Sequence, residues 1–137
     1  MKEFLYTAAG ITGSFLAMAL GGWDTALHTL IIFMAIDVLF GLILALFYKR
    51  SRKSTSGCLN ASTAQYGLFK KGGCLALVLV GYRLDLMIGS DFVRTAVIIA
   101  LISTELLSII ENAGLMGIPM PTALHKALEV LNSKGAI

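Results

Sequence analysis

The run "TALHTLIIFMAIDVLFGLILALFY", from Thr25 to Tyr48, contains one acidic or basic residue, Asp37. A helix that is apolar on every side belongs inside a large core or a membrane. A hydrocarbon core of about 30 Å is crossed by about 20 residues at 1.5 Å each. Within lipid the backbone must satisfy its own polar groups, so the expected form is a helix. Three more stretches invite the same reading: 4–22, which is rich in Gly and Thr, 73–89, which is short and charged, and 92–117. Each has about 17–25 residues, enough to span.

Composition supports a membrane class. The chain is 57% hydrophobic and 14% charged, with a mean hydropathy of +0.83, whereas soluble domains carry about 25% charge. In 137 residues, four crossings leave no room for a soluble catalytic domain. The expected fold is therefore a single all-α membrane domain: about four transmembrane helices in two hairpins, plus a short C-terminal amphipathic helix. That last helix is expected over about 122–132, where Leu124, Ala127, Leu128 and Leu131 recur at helical spacing. It would lie on the cytoplasmic face or against a partner.

Orientation follows from the basic residues. Lys49, Arg50, Arg52, Lys53, Lys70 and Lys71 crowd the segment between the second and third stretches, with no acid among them. Such a loop stays cytoplasmic, which with four crossings puts both termini there too. The opposite connections are then the short turns "GGWD" and "GSD", with Trp23 as interfacial anchor and Asp24 and Asp91 as helix N-caps. The segment 4–22 has an alternative as a cleaved signal peptide, since "AMA" at 17–19 resembles a cleavage site. Against that, Glu3 offsets Lys2, and Ala9, Gly13, Ala17 and Gly21 form a four-residue stripe suited to close helix approach. The fourth stretch should end at Gly117, Pro119 and Pro121, because proline lacks the donor a continuing helix needs.

The charges inside these stretches need shelter. By residue count Asp37 and Glu105 lie near mid-span, Arg83 and Asp85 in the outer half of the third stretch, and Glu111 nearer the cytoplasmic boundary. A lipid-facing carboxylate at mid-depth costs about 2.5–3.5 kcal/mol even on a lenient scale. On the fourth stretch Glu105, Ser108 and Asn112 share a helical face with Glu111 alongside, and on the second Asp37, Gly41 and Ala45 make a polar and small line. Arg83 reaching Asp37 or Asp85 would give a structural network. Alternatively the stripes line water between protomers, which requires an oligomer, or they relay protons. Arg94 and Asp91, three residues apart, read as a minor helix-start pair.

Enzymatic chemistry finds no foothold. There is no phosphate-binding loop, no zinc-protease motif and no nucleophile elbow. Cys58 and Cys74 have no ligand partners at metal spacing, and the basic loop lacks the interleaved aromatics of a nucleic-acid surface. No cofactor, metal or nucleic acid is expected.

"GGWD" with "LIIFMAIDVLFGLILA" (residues 30–45), "GLFKKG" and "YRLDLMIG" resemble the toxin-secretion and phage-lysis holin family. So, most specifically, does "VRTAVIIALISTELLSIIENAGLMGIPMPTALHKALEVL" (residues 93–131), with its Glu-Asn and Gly-x-Pro-x-Pro elements. The resemblance covers most of residues 21–132. The loop at 54–65 is richer in Ser, Thr and Ala than the family pattern, and "LIST" replaces a more usual aromatic and Asn before Glu105. The resemblance implies a non-enzymatic protein that accumulates in the bacterial cytoplasmic membrane, oligomerises among membrane lipids and opens lesions. These would release an endolysin or a toxin. The competing expectation is a membrane scaffold or small transporter subunit held by permanent ion pairs.

Overall fold

The structure, a computed structural model, describes residues 1–49, Gly57 and 60–135. Five α-helices follow in order: α1 (Lys2–Ala19), α2 (Thr25–Ile43), α3 (Ala61–Ile88), α4 (Val93–Leu115) and α5 (Thr122–Gly135). A π-helical segment, Leu44–Tyr48, prolongs α2. No strand occurs among the described residues.

Apolar content forms the helices, and local signals end them. Asp24 caps α2 as expected, its carboxylate accepting from the Leu27 amide at 2.9 Å. The break after α4 also falls where the sequence puts it. Gly117 takes φ +81°, and the amides of Gly117 and Ile118 donate back to the Gly114 and Ala113 carbonyls. This glycine-terminated cap satisfies carbonyls that the helix leaves open, and Pro119 and Pro121 follow it. Gly21 does the same for α1: it sits at φ +93° and its amide donates to the Met18 carbonyl. It is therefore a turn residue rather than the last rung of a packing stripe.

The all-helical class is as expected, but four crossings are not supported. By length and composition, two helices among the described residues can cross a membrane, Thr25–Tyr48 and Val93–Leu115. In α1, Lys2 and Glu3 occupy the first turn and Gly, Thr and Ser dilute the apolar residues. In α3, Lys70, Lys71, Arg83 and Asp85 all lie within the helix. The expected third stretch, 73–89, starts too late, because α3 begins at Ala61. Asn60 caps it, accepting from the Ser62 amide at 2.9 Å. Half of the expected basic loop is therefore helix, including Lys70 and Lys71. Arg50, Arg52, Lys53 and Cys58 lie outside the described residues, and Lys49 is exposed.

α4 is the hub, packing against α2, α3 and α5. Leu27, Leu30 and Met34 of α2, Val78 of α3, and Ile98 and Ile102 of α4 form the core. α2 and α4 run parallel, since Arg94 meets Asp24 at their starts and Ser108 meets Asp37 further along. α3 runs antiparallel to both and crosses α4 closely at Gly81. A Cβ there would lie 3.1 Å from the Arg94 Cα, so a larger residue would force the helices apart.

The C-terminal helix exists as expected, but its seat differs. α5 folds back along α4 of its own chain. Leu131 packs against the core, and Leu128 and Leu131 share a cleft with Ala100, Ser103 and Leu107. Of the apolar stripe read from the sequence, Leu128 and Leu131 are half-buried within the chain, while Leu124 and Ala127 stay exposed.

Candidate functional site

Two polar clusters organise the helices. The first lies at mid-length of the two apolar helices. The spacing of Leu27, Leu30, Met34 and Asp37 puts all four on the buried face of α2, so Asp37 points at α4 and not outward. On α4 the same geometry buries Glu105 and Asn112 with Ile98 and Ile102. Ser108 donates to Asp37 Oδ1 at 2.6 Å, and Asn112 Nδ2 approaches the same oxygen at 3.3 Å.

The cation of this cluster is Lys71. Its Nζ lies 2.8 Å from Asp37 Oδ2 and 2.7 Å from Glu105 Oε2. One ammonium thus bridges carboxylates carried by two other helices. All three side chains are largely shielded, with 14%, 3% and 10% of their surface exposed for Lys71, Asp37 and Glu105 respectively. Ion pairs are strong in such a setting, and losing one partner is costly. A cavity of about 450 Å³ adjoins the bridge, bordered by Tyr66, Gly67, Cys74, Thr104 and Glu111.

The second cluster closes the opposite end of α3, around Asp85 and Arg94. Asp85 is buried and accepts from Ser90 Oγ at 2.6 Å, from the Val93 amide at 3.0 Å and from the Arg94 amide at 2.9 Å. It caps α4 from the preceding helix, the role the sequence suggested for Asp91. The Arg94 side chain reaches back to the α1–α2 turn. It donates to the carbonyls of Leu20 and Gly22 and to the Asp24 carboxylate, whose Oδ2 lies 2.7 Å from Nη1. That guanidinium holds the Asp24 carboxyl below its ordinary value of 3.8, burial opposing and the Leu27 amide assisting.

This arrangement corrects three expectations. Arg83 is exposed on α3 and makes no ion pair among the described residues; it joins neither Asp37 nor Asp85. Arg94 is not a minor helix-start partner of Asp91 but a buried tie between distant turns. Lys71 is not a loop charge but the bridge at mid-length of the two apolar helices. A helical count along α3 contains the signal: Lys71, Cys74, Val78, Gly81 and Asp85 recur at three- and four-residue steps, and Arg83 falls off that line.

The remaining stripe residues divide. Ala45 is buried and Gly41 half-buried, so that line turns toward the chain's own interior. Ala9 and Gly13 are exposed and Ala17 half-buried, and a Cβ on Gly13 would meet nothing within 4 Å. Glu111 is exposed and borders the cavity. Among the described residues, no buried side-chain nitrogen or oxygen lacks a hydrogen-bond partner.

A family model described as the bacteriophage holin family matches residues 14–133. Similar proteins include an uncharacterized 14.9 kDa protein in the nagH 3′ region of Clostridium perfringens. It is 35% identical, over 89% of this chain and 88% of that protein. An uncharacterized protein of Clostridium acetobutylicum is 32% identical over 83% of this chain and 86% of its own length. An uncharacterized Listeria monocytogenes protein is 28% identical over 89% and 82%. No solved structure matches the chain.

Proposed function

The chain belongs to the bacteriophage holin family, and from that membership we propose that it oligomerises in the bacterial cytoplasmic membrane and opens lesions there. Through them a cytoplasmic endolysin, or a toxin, would leave the cell without being stably bound. The reading is non-enzymatic. In it α1 and α3 join the two apolar helices as crossings, both termini are cytoplasmic, and Lys71 and Asp85 of α3 are tolerated because protein groups satisfy them.

One observation carries this reading beyond the family match. Lys71, Asp37, Glu105, Ser108 and Asn112 form a polar set at mid-length of two helices apolar enough to cross a membrane. In a single protomer these side chains meet one another between α2, α3 and α4. Turned outward within an oligomer, the same side chains would present a hydrated wall. The exposed Ala9 and Gly13 surface would supply the first helix contacts between protomers.

Induced expression in bacteria tests the proposal. An abrupt loss of viability, with release of a co-expressed cytoplasmic enzyme, is the expected result. Growth that continues with the enzyme retained, at equal membrane accumulation, would refute it. Glu105→Leu should insert normally yet abolish or mistime the release. Unchanged timing would remove that carboxylate from the mechanism.

The scaffold reading draws on the completeness of the Lys71 bridge, which would then be a permanent tie. Expression without killing or release would favour it.

A further inference from the structure

α3 is held unevenly. Its contact line starts with Thr63, Gly67, Lys71 and Cys74, all half-buried, and continues through Val78, Gly81 and Asp85, all buried. In the segment 61–71 every other residue is exposed, including Tyr66, Leu68 and Phe69. No apolar side chain of that segment belongs to the core. Among the described residues its ion-pair attachment is one ammonium on two carboxylates. Directly after it come Gly72 and Gly73, where an added Cβ would meet nothing within 4 Å. Those glycines are not required by close packing, and glycine weakens a helix interior.

We propose that Lys71 is a releasable internal bridge. It holds residues 61–71 closed over Asp37 and Glu105, and its parting lets α3 hinge at Gly72–Gly73 and admits water to both carboxylates. The two acids cannot leave, because α2 and α4 are fixed by the core and by Arg94. The lysine can, because it sits on a flexible stem in a thinly attached segment. Closed, the bridge shields three charges; half-broken, it takes the ammonium from the buried Glu105 carboxylate, so the change is two-state. Equating release with lesion opening rests on the function proposed above, whereas the bridge and hinge stand on geometry alone.

Cys74 supplies the readout. It borders the cavity on the same face as Lys71, and Cys58→Ser would leave it the sole thiol. In the purified full-length chain in micelles, Lys71→Met should raise the rate of maleimide labelling at Cys74 by at least about tenfold. Lys71→Arg, which can still bridge, should stay near the parent rate. Adding Asp37→Asn and Glu105→Gln to Lys71→Met should bring the rate back down, since uncharged side chains no longer drive hydration. An unchanged rate in Lys71→Met, or a triple variant as fast as the single, overturns the proposal. Should Lys71→Met fail to accumulate, recovery in the triple variant supports the bridge and continued failure overturns it. Dye release from liposomes, measured in parallel, separates the two claims. Faster labelling without leakage strikes the proposed function alone, and leakage with unchanged labelling strikes the bridge alone.

Discussion

Arg94 directs its guanidinium at two backbone carbonyls and a carboxylate, whereas Lys71 meets side chains only. The arginine lies where two turns converge, beside the buried Asp85 that caps its own helix. The lysine lies in a segment, 61–71, that has no other ion pair among the described residues. Backbone acceptors in a turn have nowhere else to go, so the arginine fixes chain direction. Side-chain acceptors on two stable helices can exchange an ammonium for water. The same elementary interaction thus anchors one end of the bundle and leaves the other releasable.

The heaviest test of that contrast is Arg94→Met. It strands the Leu20 and Gly22 carbonyls and removes the partner of Asp24. The expected loss is about 2–4 kcal/mol, mainly from the stranded carbonyls, read as a collapse of protease resistance or of the thermal transition in micelles. Arg94→Lys should recover only part, because an ammonium cannot reproduce the planar fork. Lys71→Met should lower the global transition distinctly less while opening Cys74. Equal global losses in the two variants would erase the distinction between anchor and latch.

The hinge half of the comparison is sharpened by Gly72→Ala and Gly73→Ala. Both sites are helical and open, so each alanine should stabilise α3 by about 0.5–1 kcal/mol. Labelling of Cys74 should then slow severalfold in the double variant. A faster rate would show that the glycines are needed for packing and that bending occurs elsewhere.

What the sequence disclosed depended on how local each signal was. The second apolar helix, the Asp24 cap and the Gly117 break were legible because neighbours within one turn define them. The start of α3 was not: Ser, Thr and Gly beside two lysines read as loop, and tertiary pairing of Lys71 outweighs that local preference. Arg83 interrupts an apolar run, yet it lies off the buried line. Arg94 carries no local signal of its role, because its partners lie some 70 residues away. Helical period sets Glu105, Ser108 and Asn112 along one side of α4 and Asp37 on one face of α2, but the meeting of the two faces is tertiary. Period could not name the cation that joins them.

Acid should weaken the anchor slightly. Asp24 titrates below 3.8 in the folded chain, so its contribution is complete above that unfolded value. It is lost as pH falls through the lower folded value. With half of the Asp24 side chain exposed, solvent screening keeps the effect under about 1 kcal/mol. The stability difference between the parent and Asp24→Asn should therefore persist at neutral pH and shrink below about pH 4. A difference that grows on acidification would mean that Asp24 is not held as a carboxylate.

The smallest expected effect is the most direct challenge to the placement of charge. Arg83 is a guanidinium in the middle of an apolar stretch, and on sequence grounds it was the natural partner for Asp37 or Asp85. In the fold those acids are already engaged, Asp37 by Lys71, Ser108 and Asn112, and Asp85 by Ser90 and two amides. Arg83 instead borders an open cleft between α1 and α3 with Phe15, Met18 and Leu86. Arg83→Gln should shift the thermal transition by no more than a surface change, within about 0.5 kcal/mol, and leave Cys74 labelling at the parent rate. A loss approaching that of Arg94→Met would place Arg83 in an ion pair and reassign the anchor. Rescue of such a loss by charge reversal at Asp37 or Asp85 would identify the partner.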